Sequence, residues 1–246
     1  RRFDCLVLDE AQDMMNIDLL DLLGRILMGG LEGGNWHLFL DPNNQQGLLG
    51  TYDEDAFSYV RELSDHSLRL KQNCRNTPQI ILQTQLLTGA DIGVSKLDGQ
   101  GEKVIMRKFT SNENCRKLIT EQIKQWQIEG AELEEITLLI LGDFTEAFPD
   151  GLCGSIGNKL YELTPDTVQV RRKGRLAYCR AAEFKGLESS YIIFAGLDGL
   201  TDDAIALRKF YIGLTRANAL LAIYYPEGLQ SLVDAFYASN VHKIGN

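Results

Sequence analysis

The sequence is poor in the side chains that most often hold transition metals in proteins. Its 246 residues include three histidines, which lie far apart, and five cysteines, none of which forms a CxxC pair. A structural zinc site needs four nitrogen or sulfur ligands held close together, so we expect no structural metal. The odd number and scattered positions of the cysteines indicate reduced thiols, which are typical of a cytoplasmic protein.

Long apolar runs are also missing. No run approaches the ~20 residues that a membrane-spanning helix needs, and nothing at the start resembles a signal peptide. We therefore expect no membrane partner. Hydrophobic residues make up 44% of the chain and charged residues 24%, which is ordinary for a globular protein.

The chain has fewer basic than acidic residues, which gives it a formal net charge of −9. This balance argues mildly against nucleic-acid binding, since contacts to phosphates favour a basic surface. It does not exclude such binding, because a local groove can grip a strand while the outer surface stays acidic. Basic residues do concentrate at 171–175, where RRKGR suits either a solvated loop or a contact to nucleic acid.

Strand-like apolar segments alternate with helix-like segments along most of the chain. We predict strands at 3–10, 36–42, 66–73, 103–109, 136–143, 175–182, 191–197 and 220–226. We predict helices at 15–30, 77–89, 111–130, 201–217 and 227–239, and a short one around 155–163. This alternation predicts an α/β fold whose parallel sheet is buried on both faces, with ligands at the carboxyl ends of its strands.

An acidic pair follows the first predicted strand, in the segment LVLDEAQD at 6–13. Nucleotide hydrolysis uses such a pair: one carboxylate supports Mg²⁺ and its neighbour takes a proton from the attacking water. An acidic pair in this place also suits the cap of the next helix. The added Gln12 and Asp13 favour the first interpretation.

Five segments together resemble the motifs of superfamily 1 helicases of the UvrD/Rep type, and they occur in that family's order. They are similar to motifs II to VI, in turn LVLDEAQD (6–13), LFLDPNNQQ (38–46), LKQNCRNTPQI (70–80), FKGLESSYIIF (184–194) and FYIGLTRANALLAIYY (210–225). The resemblance implies a RecA-like, P-loop NTPase-type second motor domain at 66–246, with a parallel sheet flanked by helices. Residues 1–65 would be the remnant of the first motor domain.

The resemblance also implies a site that hydrolyses ATP with Mg²⁺. Asp9 would support the metal ion through water, and Glu10 would be the general base. Arg75 of motif IV and Arg216 of motif VI would lie at the same end of the sheet and reach the γ-phosphate, since a guanidinium donates to two oxygens while it stays charged. A surface or ion-pair role is the alternative for each arginine.

Nucleotide contacts are implied for motifs III and V as well. Glu188 would contact the ribose or organise that corner of the site, next to Gly186 of the same KGLE segment. Motif III offers Asn44, Gln45 and Gln46 as the amide for the γ-phosphate. We place this contact on Gln45 and leave the other two open.

The second ligand implied by the resemblance is single-stranded DNA, with RNA as an alternative. Asp41 would couple the nucleotide site to the bound strand, and Tyr52 is a candidate platform for base stacking. Lys185 of motif V would contribute a strand contact. The family usually has threonine and histidine where this chain has Arg180 and Ala182, and Arg180 could replace them electrostatically.

The chain contains no phosphate-binding loop of the form GxxxxGK[ST]. The family places that loop before motif II, so we expect a piece of a longer protein, inactive alone, whose missing partner is the N-terminal motor domain. The predicted function is ATP-dependent movement of a DNA helicase or translocase along a single strand. Two alternatives stay open: a translocase or switch without unwinding, in DNA repair or phage defence, and a non-enzymatic interaction module.

Overall fold

The computed structural model describes residues 1–41, 53–168 and 172–243. The chain divides into two compact units, residues 1–70 and 71–246. The boundary predicted from the sequence lies a few residues earlier.

The described part of the first unit contains two strands and three α-helices. These are β1 (Cys5–Leu8), α1 (Ile17–Ile26), α2 (Gly30–Gly33), β2 (Asn35–Leu38) and α3 (Glu54–Leu63). The two strands pair in parallel, with Cys5 opposite Asn35 and Leu8 opposite Leu38. The pairing places the segments that follow both strands at one edge of this small sheet.

Both strands of the first unit were predicted to be buried, and this was wrong for one face of the sheet. Side chains on the inner face, such as Leu6 and Trp36, pack against the apolar cluster of the helices. Side chains on the other face are largely exposed, with Val7 at 62% and Phe39 at 55%. The physical reason is that the described helices cover a single face of a two-stranded sheet.

The described part of the second unit contains eight strands and six α-helices. The strands are β3 (Gln72–Asn73), β4 (Val94–Ser95), β5 (Ile105–Phe109), β6 (Ile136–Ile140), β7 (Leu160–Glu162), β8 (Leu176–Arg180), β9 (Ser189–Ala195) and β10 (Ala217–Pro226). The helices are α4 (Pro78–Thr88), α5 (Asn112–Ile128), α6 (Phe144–Ala147), α7 (Gly154–Gly157), α8 (Ala204–Thr215) and α9 (Gln230–Asn240).

Six of these strands form one all-parallel sheet in the order β5-β10-β9-β6-β8-β7. Successive side chains of a strand point to opposite faces. Leu139 and Ile192 therefore enter the apolar layer beneath α4, α8 and α9, whereas Leu138 and Ile193 enter the layer beneath α5. The predicted α/β fold, a parallel sheet flanked by helices, is confirmed.

Three predicted elements differ from the structure. The helix predicted at 15–30 ends at Ile26, and residues 30–33 form the separate helix α2. The strand predicted at 66–73 is reduced to the two residues of β3, because the preceding segment lacks a partner strand among the described residues and exposes 91% of Leu68 and 88% of Leu70. The short helix predicted around 155–163 ends at Gly157, and β7 takes its place at the edge of the sheet. In the described ranges, no helix has both the length and the apolar character needed to cross a membrane.

Helix α8 lies in close contact with β9. A Cβ atom on Gly213 of α8 would stand 2.3 Å from Cε1 of Phe194 in β9, so only glycine allows this approach. The residue after α8, Arg216, lies beside the start of β9, where the N–H of Ser189 donates to the carbonyl of Arg216 at 3.1 Å. The fold in this way brings the motif V and motif VI segments together.

Candidate functional site

The acidic pair of motif II follows β1 directly. The N–H of Glu10 donates to Oδ1 of Asp9 at 3.0 Å. Glu10 has φ 51° and ψ 38°, and it is the only non-glycine residue with a positive φ in the described ranges. Such a backbone costs on the order of 1–3 kcal/mol and is concentrated at functional sites.

Gln12 connects this acidic pair to the segment after β2. It is fully buried; its Nε2 donates to Oε2 of Glu10 at 2.5 Å, and its Oε1 accepts from the N–H of Asp41 at 3.1 Å. The amide thus holds the Glu10 carboxylate and the Asp41 backbone in one arrangement. No role of its own was predicted for Gln12 from the sequence; the available signal was a glutamine two residues after an acid at the end of a strand.

Motifs IV and V meet through an ion pair. Nε of Arg75 donates to Oε2 of Glu188 at 2.9 Å, across 113 residues of sequence. The turn that carries Arg75 is closed by Asn73, whose Oδ1 accepts from the N–H groups of Arg75 and Asn76, both at 2.9 Å. The side chain of Asn73 therefore fixes the backbone of the turn that carries Arg75.

The arginine of motif VI is buried. Arg216 lies between α8 and β10 and is 4% exposed. Its Nε donates to the carbonyl of Ile212 at 3.2 Å, and its Nη2 donates to Oγ1 of Thr215 at 3.2 Å. A cation at the carboxyl end of a helix is stabilised by the helix dipole, so this is a favourable resting position for the guanidinium.

Asn76 joins the motif IV turn to motif VI. Its Nδ2 donates to the carbonyls of Thr215 at 3.0 Å and Ala217 at 2.7 Å, which flank Arg216. Together with the Arg75–Glu188 ion pair, these bonds gather segments that lie more than a hundred residues apart. The structure therefore brings Arg75 and Glu188 into contact and places the backbone of Arg216 beside them.

The predicted residues do not all lie at the carboxyl ends of strands. Asp9 and Glu10 do, because they follow β1. Glu188 and Arg216 directly precede β9 and β10 and so lie at the amino ends of those strands. The expectation was wrong for these two residues, since they belong to segments that enter the sheet.

Arg180 lies at the carboxyl end of β8 and is already paired with acidic groups. Its Nη2 stands 2.8 Å from Oδ2 of Asp143, and its Nη1 stands 3.8 Å from Oε1 of Glu183. Hydrogen bonds from the Thr145 hydroxyl and then from Arg180 lower the pKa of Asp143 to about 2. The hydrogen bond to Asp143 also raises the pKa of Arg180. A contact between Arg180 and single-stranded nucleic acid stays a prediction. A phosphate of that nucleic acid would have to compete with Asp143 for the guanidinium.

An aromatic pair lies beside Arg180. The rings of Phe144 and Tyr178 stack with their centroids 4.1 Å apart, and both line a pocket of about 150 Å³ at the carboxyl ends of β6 and β8. Burial raises the pKa of the Tyr178 hydroxyl. The candidate stacking residue Tyr52 lies outside the described residues, as does the candidate amide Gln45.

The KGLE segment of motif V forms a tight turn ahead of Glu188. The N–H of Leu187 donates to the carbonyl of Phe184 at 3.1 Å, and Gly186 adopts φ 81°. A Cβ atom on Gly186 would meet nothing within 4 Å, so its backbone conformation, and not lack of space, favours glycine. Lys185 is half-buried at the start of this turn. The contacts of Gly186 with nucleotide and of Lys185 with single-stranded nucleic acid stay predictions.

The basic run at 171–175 is largely occupied by contacts within the fold. The guanidinium of Arg172 lies 5.0 Å from the centre of the Tyr161 ring, and Nη2 of Arg175 donates to the carbonyl of Leu160 at 3.1 Å. Arg171 lies outside the described residues. These contacts favour the loop interpretation of the run.

The donor set near β1 fits part of a nucleotide and magnesium site. Mg²⁺ in such sites is held by one or two carboxylates together with substrate phosphates, and the exposed carboxylate of Asp9 supplies one. In the part of the chain that the structure describes, no group of three or more His, Cys, Asp or Glu side chains could hold a metal ion.

No family model and no curated protein matches this chain. Among solved structures it is similar to the C-terminal domain of "a possible DNA helicase" from Lactobacillus plantarum WCFS1, with a TM-score of 0.49 and 15% identity over 65% of this chain and 92% of that one. It is also similar to nonstructural protein 10 (helicase) of an arterivirus, with a TM-score of 0.41 and 11% identity over 94% of this chain and 40% of that one. Both likenesses concern the fold alone.

Proposed function

We propose that this chain is part of an ATP-driven superfamily 1 helicase or translocase of the UvrD/Rep type. Residues 66–246 would be its second motor domain, and residues 1–65 would end its first. The observation that carries the proposal is that Arg75 pairs with Glu188 in the second unit, while its neighbour Asn76 binds the backbone carbonyls on both sides of Arg216. An ion pair this exposed contributes little to folding, so its position beside the Arg216 backbone supports a role in ligand binding.

The groups of the second unit suit a triphosphate. Arg75 presents its guanidinium at the surface, where its side chain is 42% exposed. Arg216 keeps its charge in a buried position, where a charged group acts more strongly because water screens it less. Both guanidinium groups would donate to phosphate oxygens, and Arg216 would stabilise the charge that builds up as the terminal phosphoryl group leaves.

The groups of the first unit suit activation of water. Glu10 would take the proton of the attacking water, and Asp9 would hold Mg²⁺ through a water molecule. When bound, Mg²⁺ neutralises phosphate charge. The hydrogen bond from Gln12 limits the directions that the Glu10 carboxylate can take, and the left-handed backbone of Glu10 is a strain that folding alone would not favour.

Strand binding is proposed for the carboxyl ends of β6 and β8. The stacked rings of Phe144 and Tyr178 offer a face on which bases could lie, and stacking of this kind tolerates any sequence. Arg180 would contribute positive charge there, and Lys185 is proposed as a further contact to the single-stranded nucleic acid. Asp41 would transmit the state of the nucleotide through Gln12. The proposed ligand is single-stranded DNA, and RNA is the alternative.

The test is strand-stimulated ATP hydrolysis by a longer protein that joins this chain to a phosphate-binding loop. We expect ATP hydrolysis that rises when single-stranded DNA is added. Duplex unwinding, measured beside the displacement of streptavidin from a biotinylated single strand, would separate a helicase from a translocase. Strand or protein binding without any hydrolysis would support the interaction module and overturn the proposal.

A further inference from the structure

Asn76 is buried where the motif IV turn meets the end of α8, and the structure satisfies all of its polar groups. It is 1% exposed. Its N–H donates to Asn73, its carbonyl accepts from the hydroxyl of Ser95 at 2.9 Å, and its Oδ1 accepts from Nδ2 of Asn73 at 3.0 Å. The two hydrogens of its Nδ2 serve the carbonyls of Thr215 and Ala217.

The bonds of Asn76 are placed around the two arginines. The carbonyls that it binds belong to the residues immediately before and after Arg216, so the Arg216 backbone is held from both sides. Through Asn73, the same network fixes the N–H of Arg75. A buried amide that served stability alone could bind any carbonyl. This amide binds the two carbonyls that flank Arg216 and therefore fixes the position of the Arg216 backbone.

We propose that Asn76 is a positioning residue that sets the separation of Arg75 and Arg216 for a shared anionic ligand. The inference rests on the proposed function and names a residue that acts on both arginines without touching the ligand. When a side chain must meet a phosphoryl group within tenths of an ångström, small displacements of its backbone lower the rate sharply. Asn76 holds that backbone on both sides of Arg216.

The test compares Asn76→Ala with a matched variant, Asn240→Ala. Asn240 is also a buried asparagine of the second unit, and its Nδ2 donates to the carbonyl of Leu86, away from both arginines. If Asn76→Ala does not fold, Asn76→Ser, which keeps a hydroxyl donor one bond closer to the backbone than Nδ2, replaces it in both measurements.

The first measurement is hydrogen exchange by NMR in the purified chain, at the backbone N–H of Arg75 and at Nε–H of Arg216. We expect both to exchange about 10-fold faster or more in Asn76→Ala, the scale of losing buried hydrogen bonds. In Asn240→Ala, we expect the exchange rates of these two groups to change no more than those of other N–H groups in the second unit. Equal effects of the two substitutions would make Asn76 a structural residue and overturn the inference.

The second measurement is ATP hydrolysis by the longer protein. We expect Asn76→Ala to lower kcat by about 100-fold while KM changes little, because the ligand still binds but meets displaced arginines. Asn240→Ala should leave both constants near wild type. If wild type does not hydrolyse ATP, the proposed function fails, and the exchange rates still decide on Asn76. If wild type is active and the two variants have the same kcat, the positioning role of Asn76 is overturned while the proposed function stands.

Discussion

Arg75 and Glu188 form an ion pair across 113 residues of sequence, with Nε of the arginine 2.9 Å from Oε2 of the glutamate. The two side chains are 42% and 52% exposed. Ion pairs that are this accessible to water contribute little to folding. The pair is better explained as an orienting contact, because it aims a guanidinium that remains accessible to a ligand.

The first prediction follows from that exposure. Glu188→Gln in the 1–246 chain should change the free energy of unfolding by less than about 1 kcal/mol, as for other exposed pairs. Urea titration followed by circular dichroism measures the change. Asp21→Asn, which removes the exposed partner of Arg25 in α1, is the matched control. A loss of several kcal/mol specific to Glu188→Gln would show that the pair supports the fold and is not chiefly an orienting contact.

The second prediction concerns the contact between α8 and β9. Gly213→Ala should destabilise the chain by about 1–3 kcal/mol, the usual cost of overpacking a core, because the new Cβ would overlap the ring of Phe194. Gly228→Ala is the control, since a Cβ there would meet nothing within 4 Å. Thermal unfolding of both variants measures the difference. Equal melting temperatures would mean that the approach of α8 to β9 is looser than described.

The third prediction is that the chain of residues 1–246 alone neither hydrolyses ATP nor binds it tightly. The backbone amides and the lysine of a phosphate-binding loop normally hold the β- and γ-phosphates, and the sequence contains no such loop. Isothermal titration calorimetry and a phosphate-release assay test this directly. Micromolar affinity for ATP, or sustained turnover stimulated by a single strand, would contradict it.

The parallel sheet could be predicted from the sequence because apolar strand segments carry their own signal. The segments around β6, β9 and β10 are nearly continuous apolar runs, as strands buried on both faces are. The segment before β3, HSLRLK at 66–71, has only an alternation of apolar and polar residues; it lacks a neighbouring strand among the described residues and is exposed. Pairing is a property of the whole sheet, and local composition does not report it.

The candidate site was predictable only in its residue types. The motifs identified Arg75 and Arg216, because arginines in NCRNT and LTRA are distinctive. The burial of Arg216 and the bonds of Asn76 to its neighbouring carbonyls depend on how α8 ends against β9. Contacts of that kind join residues distant in sequence, and the periodicity within one segment does not predict them.

The fourth prediction concerns Glu10 in the longer protein that includes a phosphate-binding loop. Glu10→Gln should leave ATP binding nearly unchanged and slow hydrolysis by at least ~100-fold, the scale of losing a general base. The fold should tolerate the change, because the new amide oxygen can still accept from Nε2 of Gln12. Single-turnover hydrolysis and nucleotide titration separate the two effects. Turnover within a factor of about three of wild type would show that Glu10 is not the base.

The fifth prediction is that Arg216 acts on the transition state and that lysine cannot replace it. Arg216 makes two hydrogen bonds through different nitrogens, from Nε to Ile212 and from Nη2 to Thr215. A lysine has one nitrogen on a flexible stem and cannot reproduce a planar fork. In the longer protein, Arg216→Lys should reduce strand-stimulated ATP hydrolysis by roughly 10³-fold or more, the contribution of arginines in such positions.

Strand affinity in the absence of nucleotide should change little in the same variant, as measured by fluorescence anisotropy with a labelled single strand. Arg208→Lys, in the same helix and only partly buried, controls for the general effect of the replacement, and thermal unfolding controls for folding. Equal losses of hydrolysis and strand affinity would make Arg216 a contact to the strand backbone. Wild-type turnover would leave it a structural residue at the end of α8, because a guanidinium needed only to cap a helix can be replaced by another cation at that end.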